Sequence, residues 1–484
     1  MTLTSIKMKY CLNLFAIIGM MGLCLGCIDT DQSTDTDDLY IASSIPPDDH
    51  PRIIVDSTQK QQVLYMGGDM ERSSDHLLRA TNPDEILKWT IEDIDFNIFR
   101  VRYDKHQELI EGQKNFGFYD NQIQVMKKIR EINPQIKFLA TMRSDYNGFK
   151  THNHNNLPTF IYNYSCIREN GNRCLESEGD RSFDADKYGV FLADYVEHMY
   201  QNDVEIDFIA TSKEYQAVVY AHRSHFAYIK MKSELEARSV PVPKLIGPAT
   251  WGIQAGINFV NGTINNGYAN EYEAFSTHDL GHTPHLWGNF VQASNQVNKA
   301  AIDDESQYGT GGRTHGEEPE HLGSILYNYG KKTEMYAQGL SGEIFFEVWS
   351  RGVGSESRSI YFKNNEAGKR MRSYYVMKDF ANSSANNYYC PSIVENAEGL
   401  QTMVFRKGNL VHVWIVNNGE ELAEELKLYV PGFLINGDVA HKYWQDPTKV
   451  LSVDQTTKSN TKKFFKLDVP PASIHYLSIP ISKK

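Results

Sequence analysis

The sequence predicts an α/β fold, a (β/α)8 TIM barrel followed by a C-terminal β-sandwich domain. Eight short runs rich in β-forming residues recur between residues 61 and 349, and most of the gaps between them have helical character. From about residue 371 the pattern changes to short alternating strands separated by turn sequences, as in a β-sandwich. Two of the eight runs end in a carboxylate, Glu214 and Glu305, at the strand ends where such barrels carry their chemistry.

Each predicted barrel strand is a run of four to eight apolar or β-branched residues. The eight runs lie within 61–72, 96–103, 136–142, 207–215, 244–251, 272–278, 299–306 and 342–349. Helices are expected at 84–95, 120–132, 185–202, 321–338 and 374–380. Pro248 interrupts the fifth run, so the regular strand is expected to end near Gly247. In the first run, Gly67 and Gly68 are expected to let backbone approach a ligand.

Length and composition divide the chain into four parts. With 484 residues, the chain exceeds one compact core of ordinary size. We expect a signal segment at 1–27, a flexible polar tether at 28–50, the barrel at 51–365 and the sandwich at 366–484. An early strand at 52–56 is also compatible with the smaller domain.

The first 27 residues resemble the signal of a bacterial lipoprotein. Two lysines precede an apolar run too short to span a bilayer, and the run ends in Leu25-Gly26-Cys27. Cys27 is therefore the expected lipidation site, although Cys24 stands where Leu is usual; the alternative is an ordinary cleaved signal peptide. The acidic tract at 28–38 resembles the sorting tracts of Bacteroidetes surface lipoproteins, which implies an outer-membrane, surface-exposed location held by a lipid anchor only.

Cysteine positions and net charge limit the disulfides, metals, cofactors and partners that the chain is expected to have. Cys166 and Cys174 lie in a polar segment of an exported chain, so a local disulfide and two free thiols are both open. Cys390 is expected to be a buried single thiol. No zinc-type spacing or phosphate-binding glycine loop occurs, so we expect no metal and no cofactor. The formal net charge of −12 argues against a nucleic-acid partner.

Glu214 and Glu305 follow the fourth and seventh predicted strands, which face each other across the barrel mouth. Two carboxylates about 5–5.5 Å apart are what retaining glycoside hydrolysis requires. We assign Glu214 as acid/base and Glu305 as nucleophile. Strand alternation is expected to turn Asp304 to the opposite face from Glu305. The alternative function is a non-catalytic surface glycan-binding lipoprotein.

Other side chains are expected near this carboxylate pair. Alternation places Arg100 and Arg102 on one face, either as structural salt bridges or with one arginine keeping the nucleophile ionised. Trp251, just beyond the fifth strand, is a candidate sugar-stacking ring, with a plain packing role as the alternative. His278 and Tyr215 are placed by strand position to hydrogen-bond the carboxylates.

This layout resembles the clan of retaining (β/α)8 glycosidases, glycoside hydrolase family 30 in particular, and the β-agarase and β-porphyranase families in outline. The resemblance is carried by Gly67-Gly68, Glu214, Glu305, Trp349 and the segment 375–380. It implies a polysaccharide or oligosaccharide substrate: an algal galactan of agar or porphyran type, a β-xylan or a β-glucan. The clan usually has Asn before its acid/base, where this chain has Lys213.

A basic side chain at position 213 changes the substrate that the resemblance implies. Lys213, Arg143 and the segment 222–225 would suit a sulfated galactan, unless the segment is a solvated basic patch. The expected substrate-binding set is Arg102, Arg143, Lys213, Tyr215, Trp251, His278 and Trp349.

Overall fold

Eight parallel strands close into a barrel in the computed structural model, as the sequence predicts. The structure describes residues 45, 49–70, 74–143, 157–158, 160–161, 183–212, 219–279, 283–306, 321–346, 348–349, 359–459 and 461–484. The first strand, β1, spans Arg52–Val55 and lies outside the barrel. The barrel strands are β2 Tyr65–Asp69, β3 Ile98–Tyr103, β4 Lys137–Met142, β5 Phe208–Ile209, β6 Lys244–Trp251, β7 Tyr272–His278, β8 Ala300–Ser306 and β9 Gly342–Phe345.

Side chains that alternate along the strands fill the barrel interior. Seven of them form one buried apolar layer: Ile98, Leu139, Phe208, Ile246, Ala274, Ile302 and Ile344. Each comes from a different strand and closes the barrel axis below its carboxyl end. Polar residues farther along the same strands therefore lie at the open end.

Two strand predictions need correction. Strand β6 continues through Pro248 to Trp251, with shifts in its pairing to β7 on either side of that proline. Such irregularities accommodate a residue that has no N–H to give to the ladder. The glycines of β2 serve packing rather than ligand approach, because a Cβ at Gly67 would lie 2.3 Å from the carbonyl oxygen of Ile98.

Helices surround the barrel, and each of the five ranges predicted from the sequence overlaps one. They are α1 Ser74–Leu78, α2 Pro83–Leu87, α3 Asp120–Ile132, α4 Ala185–Gln201, α5 Ala221–Ala237, α6 Ile253–Asn265, α7 Trp287–Asn295, α8 Leu322–Ala337 and α9 Arg372–Ser384. A π-helical turn, Lys88–Glu92, extends α2, and short 3-10 turns occur at Lys105–Gln107, Phe116–Tyr119, Ala269–Glu271 and Pro284–Leu286. Within the part of the chain that the structure describes, no helix is long and apolar enough to cross a membrane.

The C-terminal strands, together with β1, form one mixed sheet, one antiparallel sheet and a small hairpin. The strands are β10 Ile360–Tyr361, β11 Lys369–Arg370, β12 Tyr388–Cys390, β13 Ser392–Glu395, β14 Leu400–Lys407, β15 Leu410–Asn417, β16 Ala423–Tyr429, β17 Phe433–Ile435, β18 Asp438–Trp444, β19 Val453–Lys458, β20 Phe464–Val469 and β21 Ser473–Lys483. One sheet has the order β13-β1-β16-β20, and the other runs β12-β14-β15-β21-β18-β19 with β17 beside β21. Cys390 is a buried free thiol, as predicted.

The sandwich uses both ends of the described chain. Strand β1 pairs antiparallel with Ser392–Glu395 and parallel with residues 427–429. Residues 52–55 therefore belong to the sandwich, and a barrel boundary at residue 51 is wrong. Helix α9 is part of the barrel layer instead, since Tyr374 Oη donates to the Trp89 carbonyl at 3.0 Å.

Candidate active site at the carboxyl end of the barrel

Arg100 is the centre of a buried ionic group at the open end of the barrel. It lies two residues beyond Ile98 on β3 and so points into the same interior. Its Nη2 donates to Glu305 Oε1 at 2.6 Å, and it also pairs with Asp69 at the end of β2. All three side chains are buried. A guanidinium at this distance favours the ionised form of Glu305.

Strand β8 turns two consecutive carboxylates into the barrel, contrary to the prediction for Asp304. Asp303 pairs with Glu343 and Ser306 with Phe345, so an extra residue is inserted in β8 relative to β9. This irregularity reverses the alternation after Asp304. Asp304 and Glu305 therefore both face inward, and the expectation that they lie on opposite faces is wrong.

His278, the last residue of β7, connects these two carboxylates. Its Nδ1 lies 2.9 Å from Asp304 Oδ1, and its Nε2 lies 3.6 Å from Glu305 Oε2. Ser276 Oγ donates to Asp304 Oδ2 at 3.0 Å. The Trp251 ring stands edge-on to the imidazole, with centroids 5.7 Å apart. His278 Nε2 therefore lies near Glu305 but beyond hydrogen-bond distance, and Trp251 lies beside the imidazole.

We call the group of Asp69, Arg100, His278, Asp304 and Glu305 the inner cluster. Its members come from four strands and meet where those strands end. Three carboxylates, one guanidinium and a neutral imidazole leave two more negative than positive charges in the cluster, so balance would need two added protons. A buried group of this composition at the carboxyl ends of barrel strands is a candidate site for binding or chemistry.

The other predicted arginines contact residues outside the inner cluster. The Arg102 guanidinium lies over the Phe118 ring, 5.5 Å from its centroid, and the residue is buried. Arg143 Nη1 donates to Asp104 Oδ2 at 3.1 Å. Burial acts to raise the pKa of Asp104, but the N–H of His106 and the charge of Arg143 outweigh it and hold that pKa below its ordinary value.

Trp349 is not a cleft residue in this structure. Its side chain is fully buried in the main core, and its Nε1 donates to Thr90 Oγ1 at 2.7 Å. Its ring packs on Phe99 with centroids 5.3 Å apart. The substrate-binding role predicted for Trp349 is replaced by packing between the barrel and the π-helical turn after α2.

The basic segment 222–225 is engaged with the chain itself. His225 Nδ1 lies 2.6 Å from Glu271 Oε1, and its ring stacks on Tyr268 at 3.7 Å. Arg223 is buried, with its guanidinium 4.8 Å from the Phe183 ring centroid. Arg223 and His225 are therefore engaged within the chain, whereas His222 is exposed.

Several predicted residues lie outside the described part of the chain. They are Cys27, Cys166, Cys174, Lys213, Glu214 and Tyr215. The described chain reaches Ser212, which follows β5 and is buried at the same end of the barrel as the inner cluster. Among the residues that the structure describes, no group of three His, Cys, Asp or Glu side chains could hold a metal ion.

Solved structures with the same architecture are known. The catalytic domain of xylanase C of glycoside hydrolase family 30 from Talaromyces cellulolyticus has a TM-score of 0.65 at 11% identity, covering 88% of this chain and 99% of that one. A family 30 subfamily 8 xylanase from Clostridium acetobutylicum has a TM-score of 0.62 at 14% identity, covering 89% and 99%. An endo-β1,6-glucanase has a TM-score of 0.62 at 13% identity, covering 90% and 95%.

These similarities establish the fold: a parallel eight-stranded barrel with a sandwich, as in family 30 structures. None of the family models matches the chain, and no curated protein matches it either. Sequence reasoning missed two members of the inner cluster, Asp69 and Asp304. Asp69 could have been found from strand register, because it stands directly beside Arg100.

Proposed function

We propose that this protein is a retaining glycoside hydrolase that cleaves β-linked polysaccharide with Glu305 as nucleophile and Glu214 as acid/base. The contact between Arg100 and Glu305 carries the proposal, because it keeps a buried carboxylate ionised at the open edge of the barrel. The shared fold with xylanases and a glucanase supports it. Glu214 follows the opposite barrel strand, β5, in sequence.

The proposed chemistry is a double displacement. Glu305 attacks the anomeric carbon while Glu214 protonates the departing glycosidic oxygen. A glycosyl ester on Glu305 results, and Glu214 then takes a proton from the water that hydrolyses it. The bond to Arg100 engages Oε1 of Glu305, and its Oε2 faces His278.

For the substrate we propose a β-xylan or a β-glucan rather than a sulfated galactan. The named activities of the similar structures, xylanase and endo-β1,6-glucanase, support the first class. The galactan alternative depended partly on basic side chains, and Arg143, Arg223 and His225 have partners within the chain. Release of reducing sugar from xylan, β-1,6-glucan, agarose and porphyran ranks these classes, and hydrolysis of porphyran alone would reverse the order.

The carboxylate roles are tested with two variants and one matched control. Glu305→Ala should lose turnover by at least ~10⁴-fold, as loss of a nucleophile does elsewhere, and azide should restore part of it as an inverted glycosyl azide. Glu214→Ala should still react with an activated aryl glycoside, and azide should then give the retained product. Glu273→Gln alters a carboxylate at the other end of the barrel, bonded to Lys244, and should keep full activity.

A fluorosugar inactivator followed by peptide mapping identifies the nucleophile directly. Labelling of Glu305 is the expected result. Labelling of Asp304, Glu343 or Glu347 would refute the assignment, and an inverted product from the wild-type protein would refute the mechanism. Binding of glycans without any hydrolysis would favour the non-catalytic alternative.

We also propose that Cys27 is lipidated and anchors the protein at the outer-membrane surface. The segment Leu25-Gly26-Cys27 and the acidic tract after it support this proposal. In a Gram-negative host the wild-type protein should sediment with membranes, and Cys27→Ala should release it. Identical partitioning of both forms would contradict the anchor.

A further inference from the structure

Behind the proposed nucleophile, on the other face of β8, lies a second buried ionic group. We call it the outer cluster: Asp303, Ser306, Lys332, Tyr336 and Glu343. All five side chains are buried between the barrel strands and α8. None of them has a role in the double displacement described above.

The outer cluster joins strand β8 to strand β9 and helix α8. Glu343 of β9 accepts hydrogen bonds from Ser306 Oγ and Lys332 Nζ, and at 3.0 Å from Tyr336 Oη. Lys332 Nζ also donates to Ser306 Oγ at 2.6 Å. Ser306 is the residue at which regular pairing of β8 with β9 resumes. The cluster therefore fixes Ser306, the residue that follows the irregularity in β8.

Asp303 lies immediately before the same irregularity and helps to fix it. It is the last residue of β8 to pair with β9 before the irregularity, and its Oδ1 accepts the backbone N–H of Glu305 at 3.1 Å. That bond orients the peptide that carries Glu305. Without it, the peptide before Glu305 can rotate, and regular alternation would turn the Glu305 side chain away from Arg100.

We infer that Asp303 is a positioning residue that holds Glu305 in its inward orientation through this side-chain-to-backbone hydrogen bond. The inference rests on the proposed function only for its kinetic consequence. The role requires a hydrogen-bond acceptor, not a negative charge. Asparagine has the same shape and keeps a carbonyl oxygen at the same place, so the two substitutions Asp303→Asn and Asp303→Ala separate positioning from charge.

The first experiment compares kcat and KM of both variants with those of the wild-type protein. Each kcat is divided by the fraction of active sites, which is measured by stoichiometric labelling with the fluorosugar inactivator. Asp303→Ala should lower kcat by at least ~10-fold with KM changed less than ~3-fold, as loss of a supporting hydrogen bond does in other sites. Its acidic pH limb should move because Glu305 no longer meets Arg100 in the same geometry. Asp303→Asn should retain the wild-type kcat and pH profile.

Tyr336→Phe is the matched control. It removes one hydrogen bond to Glu343 on the α8 side and leaves the peptide of Glu305 untouched. It should lower the melting temperature without changing kcat per competent site. Equal kcat losses in Tyr336→Phe and Asp303→Ala would mean that general loosening, not positioning, is responsible, and would overturn the inference.

A second arm does not need any hydrolysis. Hydrogen exchange of the Glu305 amide, followed by mass spectrometry of the peptide that contains it, should be faster in Asp303→Ala and unchanged in Asp303→Asn. A wild-type protein that cleaves no glycan would refute the proposed function, whereas this arm would still decide the positioning. Unchanged exchange in Asp303→Ala, or a loss of kcat in Asp303→Asn as large as in Asp303→Ala, overturns the inference.

Discussion

Strand β8 carries a buried ionic cluster on each of its faces, and the two clusters differ in what surrounds them. The inner cluster lies where four strands end at the open edge of the barrel, and it contains three carboxylates around Arg100. The outer cluster is enclosed by α8 and holds two carboxylates with Lys332. Burial and charge pairing are therefore common to both.

The comparison shows that buried charge by itself does not mark a functional site. The outer cluster can satisfy its charges internally, because burial, followed by the charge of Glu343, raises the pKa of Asp303 well above its ordinary value. A carboxyl whose pKa is raised in this way adds less negative charge beside the pair of Glu343 and Lys332. The inner cluster has an excess of carboxylate at the carboxyl ends of the barrel strands, where such barrels carry their chemistry.

The largest expected effect comes from breaking the inner cluster. Arg100→Met leaves Asp69 and Glu305 buried without their shared cation, so unfolding free energy should fall by about 3–5 kcal/mol. Activity should fall on the order of 10²–10³-fold or more, as when a charge-stabilising group is removed. Denaturant unfolding and kcat measure the two losses. Full activity in Arg100→Met would show that this arginine does not serve the nucleophile.

Removing Lys332 from the outer cluster should affect stability more than catalysis. Lys332→Met removes the cation beside Glu343 and should also lower the unfolding free energy by about 3–5 kcal/mol. Its kcat per competent site should fall far less than that of Arg100→Met. Adding Glu343→Gln should recover part of the stability, since the stranded charge is then gone. Additive losses in the double variant would argue against a coupled pair.

Trp251 and Trp349 should show the same contrast between an effect on activity and an effect on stability, with smaller magnitudes. Trp251→Ala should raise KM about 3–10-fold, the value of one aromatic contact, because its ring lies beside His278 at the open edge. Trp349→Phe should leave KM unchanged and lower the unfolding free energy by about 1 kcal/mol, through loss of the bond to Thr90. A raised KM in Trp349→Phe would restore the role first predicted for it.

The smallest expected effect is a change in pH dependence. Because the pKa of Asp303 is raised on folding, the folded state binds more protons at this site than the unfolded state above about pH 4, and stability falls as pH rises. Asp303→Asn removes this titration. The variant should therefore gain stability relative to the wild-type protein between pH 4 and 7. A stability difference that is independent of pH would contradict the raised pKa.

The fold was predictable because each barrel strand is a separate apolar run, and strand order follows from the chain. Even Glu305 could be singled out, since a carboxylate that ends a barrel strand is open to sequence reasoning. Its neighbours could not be. The inward turn of Asp304 depends on one extra residue in β8 relative to β9, and strict alternation gives the wrong face for it.

The substrate-binding role predicted for Trp349 is wrong for a different reason. The position of an aromatic residue at the end of a strand run does not tell which side it packs on once regular pairing has ended. Here β9 ends at Phe345, and the indole lies against Thr90 in the outer layer. The environment of the basic segment 222–225 could not be predicted for a similar reason. The partner of His225 is Glu271, which is remote in sequence.

Strand β1 has a consequence for how this chain reaches its native state. Its residues are all buried, and their partners within the described residues are strands that are made near the end of synthesis. During translation the whole barrel can form before the strands that pair with β1 have been made. Pairing is then also slow, because it closes a very long loop. In topology, the barrel is an insertion into the sandwich. The sandwich therefore cannot be removed or transplanted as a C-terminal module, and a truncated chain would expose the edge of β1 to aggregation.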